Sequence, residues 1–402
     1  MLVLAFAVAC RGPAASRARS HETPGEDPPT TDGTLALANL DGQIAVLERD
    51  VPQGREPALG LVELLLLRGQ IEGRIADSEK AATVAEGAVR ARPDDPNARL
   101  ARGKVRLAFH RFRDALQDVD AAERGRGDRE TVAAIRAAAF QGAGRYEEAV
   151  ALRRKAAQER PGILTLGGLA GALAERGDVD EAEVLFAQAI HAYRDVSPFP
   201  VAWIDTQRGT MWLRAGDLER ARSCFAAAVR RLARHAPAAT NLGWIETALG
   251  HRDRGIERLR AVARSSDDPE AAGILAAVLP FAGEATEAAA FRQRAAARYD
   301  DLLARHPEAF ADHAARFWLG AGADPRRALT LAQRNLENRR TPGALVLVVQ
   351  AARAANENDV ACRAAEAALA FGHPTPPQRS LAERAVAERL FPACSEGRAL
   401  GP

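Results

Sequence analysis

The sequence predicts an all-α protein built as an extended array of helix pairs, from its length, its composition and a regular spacing of glycines. The chain has 402 residues, which exceeds one ordinary compact core but suits an array whose core grows with length. It is 47% hydrophobic but only 5% aromatic, and the helix-favouring residues alanine and leucine dominate. Strand-favouring runs are nearly absent, the stretch 345–349 being the main exception.

The glycine spacing indicates an internal repeat. Successive marker glycines are 33, 39, 34 and 33 residues apart, at Gly144, Gly177, Gly216, Gly250 and Gly283. In most units one alanine follows five residues later and a second follows after seven more, as at Ala149, Ala156, Ala182, Ala189, Ala221, Ala228, Ala288 and Ala295. Small alanines let two helices approach closely, and a bulky residue between them, Phe186 or Phe225, fills the gap to the next pair.

This pattern resembles the tetratricopeptide repeat, whose period is about 34 residues. The unit at 130–161 carries it best, with Phe140, Gly144, Tyr146, Ala149, Ala156 and Pro161. Arg153 departs from it, because a bulky apolar residue is usual there. The resemblance implies a right-handed superhelical solenoid of about nine antiparallel helix pairs between Pro57 and His373. A related helical-pair solenoid with degenerate periods is the alternative.

Composition divides the chain into five segments. Residues 1–10 form a signal-like segment, and residues 11–33, rich in proline, glycine and charge, a disordered tether. Residues 34–56 are predicted to hold a capping helix, residues 57–376 the solenoid, and residues 377–402 a closing helix and tail. The end helices are expected because an open end would expose apolar surface.

The N-terminus resembles a bacterial lipoprotein signal. An apolar run ends in small residues directly before Cys10, which would be the lipidated residue. The run is short and no Lys or Arg precedes it, so a meaningless apolar start is the alternative. If the signal is real, the protein is anchored in the cell envelope facing the periplasm or exterior; otherwise it is cytoplasmic.

Charge favours a protein or peptide partner over nucleic acid. Lys and Arg number 55 and Asp and Glu 53, for a net charge of +2, without the basic excess usual for nucleic-acid binders. Certain tetratricopeptide proteins grip a C-terminal carboxylate with a clamp of Lys, Asn and Arg. The corresponding positions here are mostly apolar, so no clamp of that kind is expected.

Partner-contact residues are predicted on the first helix of each pair, which lines the concave face in such arrays. Aromatic residues flanked by polar groups at helical spacing are typical anchors for a partner, although burial between helices is the alternative for each ring. The candidates are Trp203, Thr206, Thr210, Asn241, Trp244, Phe310, His313 and Phe317.

The spacing of 39 places extra residues near Tyr193 to Pro200. This insertion is either part of a binding site or a lengthened helical turn. An alternative function is an accessory subunit that binds a small ligand or metal, near this loop or in the segment His306 to His313. No metal site is predicted, because helical neighbours at the spacing of His306–His313 do not converge well.

No catalytic constellation stands out, so the chain is predicted not to be an enzyme, and no cofactor is expected. The glycine run Gly167, Gly168 and Gly171 lacks the strand and Lys–Ser/Thr of a phosphate loop, and more simply permits close helix contact. Cys224 is predicted to be a small residue that fills space in the core. Cys362 and Cys394 are a possible disulfide that would tie down the last helix.

Overall fold

The structure, a computed structural model, describes residues 28–53 and 58–371. Within those residues the regular structure consists of nineteen α-helices and two short 3-10 helices, without a strand. The α-helices are α1 (Gly33–Asp50), α2 (Ala58–Glu72), α3 (Ile75–Ala91), α4 (Pro96–Ala108), α5 (Phe112–Arg124), α6 (Arg129–Ala143), α7 (Tyr146–Glu159), α8 (Ile163–Arg176), α9 (Val179–His191), α10 (Pro198–Ala215), α11 (Leu218–Arg231), α12 (Ala236–Ala248), α13 (Arg252–Ser265), α14 (Glu270–Val278), α15 (Ala285–Arg305), α16 (Pro307–Leu319), α17 (Pro325–Asn338), α18 (Pro342–Ala354) and α19 (Asn358–Ala370).

The helices that follow α1 form nine consecutive pairs in the described part of the chain, from α2 with α3 to α18 with α19. The two helices of each pair pack most extensively on one another, and the second helix packs next on the first helix of the following pair. The predicted all-α solenoid is therefore confirmed, and so is the estimate of about nine units. The β-branched stretch 345–349 lies in α18, where its side chains are mostly buried.

Local sequence explains where the pairs turn. The five marker glycines follow the first helix of their pairs and all have positive φ, between 81° and 109°. A left-handed residue at this place ends a helix and redirects the chain, which glycine does at little steric cost. In the α10–α11 pair the next residue, Asp217, then caps the second helix by accepting a hydrogen bond from the Arg220 amide at 2.9 Å.

The predicted packing between pairs is also confirmed. Phe186 in α9 and Phe225 in α11 are fully buried, and each lies between fully buried alanines of its own helix. Because protein interiors are close-packed, the large ring fills the space that the two small residues leave. Truncating such a ring to alanine typically costs about 3–5 kcal/mol, so these positions hold successive pairs together.

The array coils back on itself, so that its second turn lies on its first. Residues about 190 to 230 positions apart are in contact, which corresponds to roughly six repeats of 34 residues per turn. Such contacts are absent from a simple array in which each unit touches only its neighbours. They join Gly73 to Ser266 and Asp267, Glu79 and Phe109 to His306, His110 to Asn338, Gly142 to Arg339, Gly144 to Arg340, and Tyr146 to Phe371.

One of these contacts completes a helix. The residue before α3, Arg74, provides no side-chain cap. Instead Asp267, 192 residues further along, accepts hydrogen bonds from the amides of Ile75 at 2.6 Å and Ala76 at 3.1 Å. A carboxylate at a helix N-terminus satisfies orphan amides and interacts favourably with the helix dipole. The second turn of the coil thus supplies a cap that the first turn lacks.

The central insertion lies between α9 and α10 and packs against the start of the described chain. Tyr193 is buried and its hydroxyl donates to the Ser197 carbonyl at 2.6 Å. The Thr31 amide donates to the Val196 carbonyl at 2.7 Å. The insertion also gives α10 eighteen residues. The end of the predicted tether, from residue 28, is therefore held against the middle of the array.

Several predictions fall on residues outside the described ranges. These are the signal-like segment with Cys10, most of the tether, the closing helix after residue 376, and Cys394. Cys362 lies buried in α19, and its pairing with Cys394 stays a prediction. Among the helices of residues 28–53 and 58–371, none combines the length and the apolar character needed to cross a bilayer.

Candidate functional site

A pocket of about 250 Å³ opens on the inner face of the coil. Its walls come mainly from the first helices of successive pairs, α4, α6, α8 and α10, and the second turn contributes Arg339. The polar and aromatic residues that line it are His110, Phe112, Gln141, Arg153, Glu175, Trp203, Gln207 and Arg339. Their convergence gives the inner face a defined recess that can receive a side chain or a small molecule.

Three glycines of α8 form one side of this pocket, each with a different consequence. A Cβ on Gly167 would lie 2.2 Å from the Ile204 Cδ1 atom, so this glycine permits the close approach of α10. A Cβ on Gly168 would lie 2.4 Å from Nη1 of Arg153. A Cβ on Gly171 would meet nothing within 4 Å. Gly167 thus has the predicted role in close helix contact. Gly168 instead makes room for the Arg153 guanidinium, and Gly171 borders open space.

The three charged residues of the pocket, Arg153, Glu175 and Arg339, differ in the partners that they have. Glu175 of α8 forms an ion pair with Arg214 at 3.5 Å. Arg339 donates from Nε to the Gly142 carbonyl at 3.1 Å. The Nε atom of Arg153 is buried and has no hydrogen-bond partner. Burial lowers the pKa of Arg153, and the nearby Glu175 charge opposes that shift.

His110 closes the pocket beside Phe112, with the two ring centroids 5.4 Å apart. Burial, reinforced by the positive charge of Arg339, lowers the pKa of His110 to about 4. The ring is therefore neutral at physiological pH, and its buried Nδ1 has no hydrogen-bond partner. The pocket offers a neutral imidazole, two amides and aromatic surface around the Arg153 guanidinium.

The sequence-predicted contact residues are not brought together in one place. Trp203 is half-buried and lines the pocket. The hydroxyls of Thr206 and Thr210 donate to the carbonyls of Ala202 and Thr206 in their own helix, at 2.8 and 2.9 Å. The Asn241 amide likewise donates to the Pro237 carbonyl at 2.9 Å.

The remaining predicted aromatics belong to packed clusters. Trp244 packs against the core of the α8–α12 region, and Phe310 packs against the cluster that joins the two turns. Phe317 is only 5% exposed and its ring centroid lies 5.2 Å from that of Tyr299. For Phe317 the alternative of burial between helices therefore applies, because α16 turns this face toward α15 and α17.

His313 lies in a cluster of charged groups between α14 and α16. Its Nδ1 is 3.6 Å from Glu270 Oε2, and its Nε2 is 3.7 Å from Asp312 Oδ1. The Asp312 charge raises the pKa of His313 to about 9, so the ring is protonated at neutral pH. Arg316 donates to Asp312 at 3.0 Å. Glu270 and Asp312 are thus both paired with cations.

The segment His306 to His313, considered in the sequence as a ligand or metal region, is divided between two environments. His306 stacks on Phe109 with ring centroids 3.9 Å apart, and its Nε2 lies 2.9 Å from Glu79 Oε1. It thereby takes part in the contact between turns. Across residues 28–53 and 58–371, no three His, Cys, Asp or Glu side chains are arranged to hold a metal ion.

The sequence pattern does not assign Arg153, Gln141, Gln207 or Arg339 to a site. One feature of the sequence could have indicated this pocket. Arg153 is a charged residue at a position where the repeat ordinarily has a bulky apolar one. Its neighbours three and four positions away, Val150 and Ala157, are buried at 5% and 8% exposure, so Arg153 lies on the inward face of α7.

Comparison with known proteins gives similar folds at low identity. No protein-family model matches the sequence, and no curated protein matches it either. A structure of the human IFIT1 dimer with PPP-AAAA has a TM-score of 0.45 and 12% identity, covering 86% of this chain and 96% of that one. The Cut9–Hcn1 hetero-tetramer of the APC/C has a TM-score of 0.41 and 13% identity, covering 90% and 76%.

Yeast Tom70 is similar at the same level, with a TM-score of 0.36, 13% identity, and coverage of 89% of this chain and 96% of that one. Similarity of this degree does not bear on function. The fold of the protein rests on its own helix pairs.

Buried histidines predict a loss of stability in acid. His235 is 5% exposed, accepts a hydrogen bond from the Ala238 amide at the start of α12, and has its pKa lowered to about 4 by burial. In the unfolded chain His235 takes up a proton near pH 6.5, whereas in the folded protein it does so only near pH 4. The free energy of unfolding is therefore unaffected by this residue above pH 6.5, and it decreases as the pH falls from 6.5 toward 4. A shift of this size corresponds to on the order of 3 kcal/mol.

The measurement is urea unfolding of the wild type and His235→Asn at pH 7.5, 6 and 5. Asn keeps an acceptor at the helix start but does not titrate. We expect the variant to lose less stability than the wild type between pH 7.5 and 5. Equal losses in the two proteins would show that protonation of His235 does not drive the acid effect.

Proposed function

We propose that the protein is a non-catalytic interaction scaffold that binds a protein or peptide segment on the inner face of its coil. The observation that carries this proposal is the pocket formed by the first helices of successive pairs. Aromatic surface from Trp203 beside the amides of Gln141 and Gln207 is a combination that commonly anchors a partner side chain. Such a surface gives binding without requiring any reacting group.

Because the pocket lining spans several helix pairs, it favours a partner that binds as an extended segment. Successive first helices contribute to one recess, so a chain lying along the inner face would contact several pairs at once. The Thr206, Thr210 and Asn241 side chains already bond to their own helix, which leaves Trp203 and Gln207 as the accessible groups of this region. The inner pocket, rather than the whole predicted aromatic row, is therefore the proposed centre of binding.

Site-specific photocrosslinking in the native cell tests this proposal. A photoreactive amino acid at Gln207, in the pocket, is expected to give a discrete crosslinked protein adduct. The matched control is the same group at Val184, whose residue is 56% exposed in α9 and lies outside the pocket. Adducts from Val184 but none from Gln207 would contradict an inner binding face.

The place of this scaffold in the cell is a separate part of the proposal. We propose export and lipid anchoring through Cys10, on the basis of the small residues that precede it and the proline-rich segment that follows. Labelled palmitate should be incorporated into the wild type and lost in Cys10→Ser. Labelling that persists in the variant would remove the lipoprotein assignment and leave the scaffold function untouched.

A further inference from the structure

Arg153 is placed where a charge is costly. It lies on the inward face of α7 between buried Val150 and Ala157, and its Nε atom is enclosed by protein. Its neighbour in sequence, Arg154, points outward and forms an ion pair with Glu181 at 3.0 Å. Within the described residues the Arg153 guanidinium makes no comparable bond. The Nε group has lost hydration without gaining a hydrogen-bond partner, which is unfavourable for a charged side chain.

The surroundings of Arg153 are shaped to keep the guanidinium accessible from the pocket. Gly168 leaves the space that Nη1 occupies, since a Cβ there would lie 2.4 Å from that atom. Gly171 leaves open space within the same pocket. A helix with three glycines in five residues loses stability relative to alanine, by about 1 kcal/mol for each. Two unfavourable features, the glycines of α8 and the unpartnered Nε group of Arg153, therefore meet at one recess.

The available acid does not neutralise Arg153 by contact. Glu175 is the acid that lines the pocket, and its carboxylate is already paired with Arg214 at 3.5 Å. It opposes the effect of burial on the Arg153 pKa only through its charge at a distance. Arg339, the second cation of the lining, bonds through Nε to the Gly142 carbonyl and not to an acid. The pocket therefore has an excess of positive charge that an anion from outside can neutralise.

We infer that this pocket binds a carboxylate, with the anionic oxygens paired to Arg153 and the rest of the ligand lying against Trp203. A planar guanidinium matches the two oxygens of a carboxylate through paired N–H donors. The volume of about 250 Å³ is below the range usual for drug-sized ligands, so an acidic side chain or a small organic acid fits.

A carboxylate can come from two sources, an acidic side chain of a bound peptide or a free small acid. The first source rests on the proposed function, since it makes an acidic residue the anchor of the partner. The second does not depend on it. In both cases Arg153 supplies the charge, Gln141 and Gln207 supply amide donors, and Trp203 supplies an apolar surface.

Calorimetric titration of the full chain tests the inference. The probes are benzoate with benzamide as its uncharged counterpart, and a blocked tetrapeptide containing glutamate with its glutamine counterpart. Binding of benzoate, of the acidic peptide, or of both is expected, and each uncharged counterpart should bind about ten-fold more weakly or worse. Inorganic phosphate is the competing anion, and tighter binding of phosphate than of either carboxylate would contradict the carboxylate assignment.

The variants are Arg153→Leu and, as its matched control, Arg154→Leu. Leucine restores the apolar residue usual at this repeat position, so Arg153→Leu should unfold at the same temperature as the wild type or higher, while losing carboxylate binding by about ten-fold or more. Arg154→Leu should bind as the wild type does. Gly171→Leu fills the open space, keeps the fold and should also lose binding.

Each outcome decides one claim. If neither carboxylate binds the wild type, or if binding is equal in Arg153→Leu, the inference is wrong. A crosslinked protein at Gln207 in that case would leave the scaffold function standing. Conversely, benzoate binding that depends on Arg153, without any protein adduct at Gln207, would support the pocket and contradict the scaffold.

Discussion

Replacing Gly144 with alanine is expected to destabilise the protein by about 3 kcal/mol or more. Gly144 has φ of +86°, a conformation that costs an alanine about 1–2 kcal/mol. In addition, the new Cβ would lie 2.1 Å from the Arg340 carbonyl oxygen in the second turn of the coil. Because a backbone carbonyl cannot rotate away as a flexible side chain can, the two turns have to separate locally.

Two other glycines separate the effect of the contact with Arg340 from the effect of the backbone conformation. Gly250 and Gly283 have φ of +92° and +81°, yet a Cβ on either would meet nothing within 4 Å. Gly250→Ala and Gly283→Ala should therefore show only the conformational cost. Urea unfolding of the three variants gives the difference, and small-angle X-ray scattering should report a larger radius for Gly144→Ala alone. If all three variants lose equal stability, the contact between turns contributes nothing measurable.

Removing the carboxylate of Asp118 is expected to cost about 3–5 kcal/mol. Asp118 is 1% exposed and accepts hydrogen bonds from Arg102 at 2.7 and 2.9 Å. It also pairs with Arg106 at 2.7 Å and with Arg99 at 3.3 Å. Alanine at this position would leave three arginines of α4 facing a buried site without their common acid, which is the costly way to break a buried ion pair.

Asp120 is the matched control for Asp118. It lies two residues away in α5, its side chain is 54% exposed, and it contacts Arg136 at 2.9 Å. An exposed pair of this kind contributes about 0–1 kcal/mol, so Asp120→Ala should change stability little. Thermal and chemical unfolding of both variants at low and high salt provides the test. A small loss for Asp118→Ala would mean that the arginines find water or other partners.

The repeat could be predicted from the sequence because its determinants are local. A glycine after the first helix, two alanines in the second and a large residue between them recur at nearly fixed spacing, and each acts on residues within its own unit or the next. The stretch 345–349 shows the limit of residue preference. Its β-branched residues lie in α18 because Thr341 caps that helix and its neighbours bury it on both sides.

The pocket could be predicted only in part. Helical spacing predicts Trp203 as a contact residue, and Arg153 departs from the repeat at a position that is usually apolar. Spacing alone does not distinguish an inward from an outward face, and Phe317 is buried although it shares the pattern of the other candidates. Arg339 could not be found, because its place in the pocket depends on a contact with Gly142 across 197 residues. No periodic signal in a sequence encodes such a separation.

The cap that Asp267 places on α3 has a consequence for synthesis. The amides of Ile75 and Ala76 have no capping carboxylate until Asp267, 192 positions after Ile75, has been synthesised. At about 5–20 residues per second, a ribosome needs roughly 10–40 s to reach it. During that interval the nascent α3 has bare N-terminal amides and an unprotected flank, so the early units leave the exit tunnel as incomplete structures. Their completion follows translation of the second turn, which makes the order of synthesis part of how this protein acquires its native state.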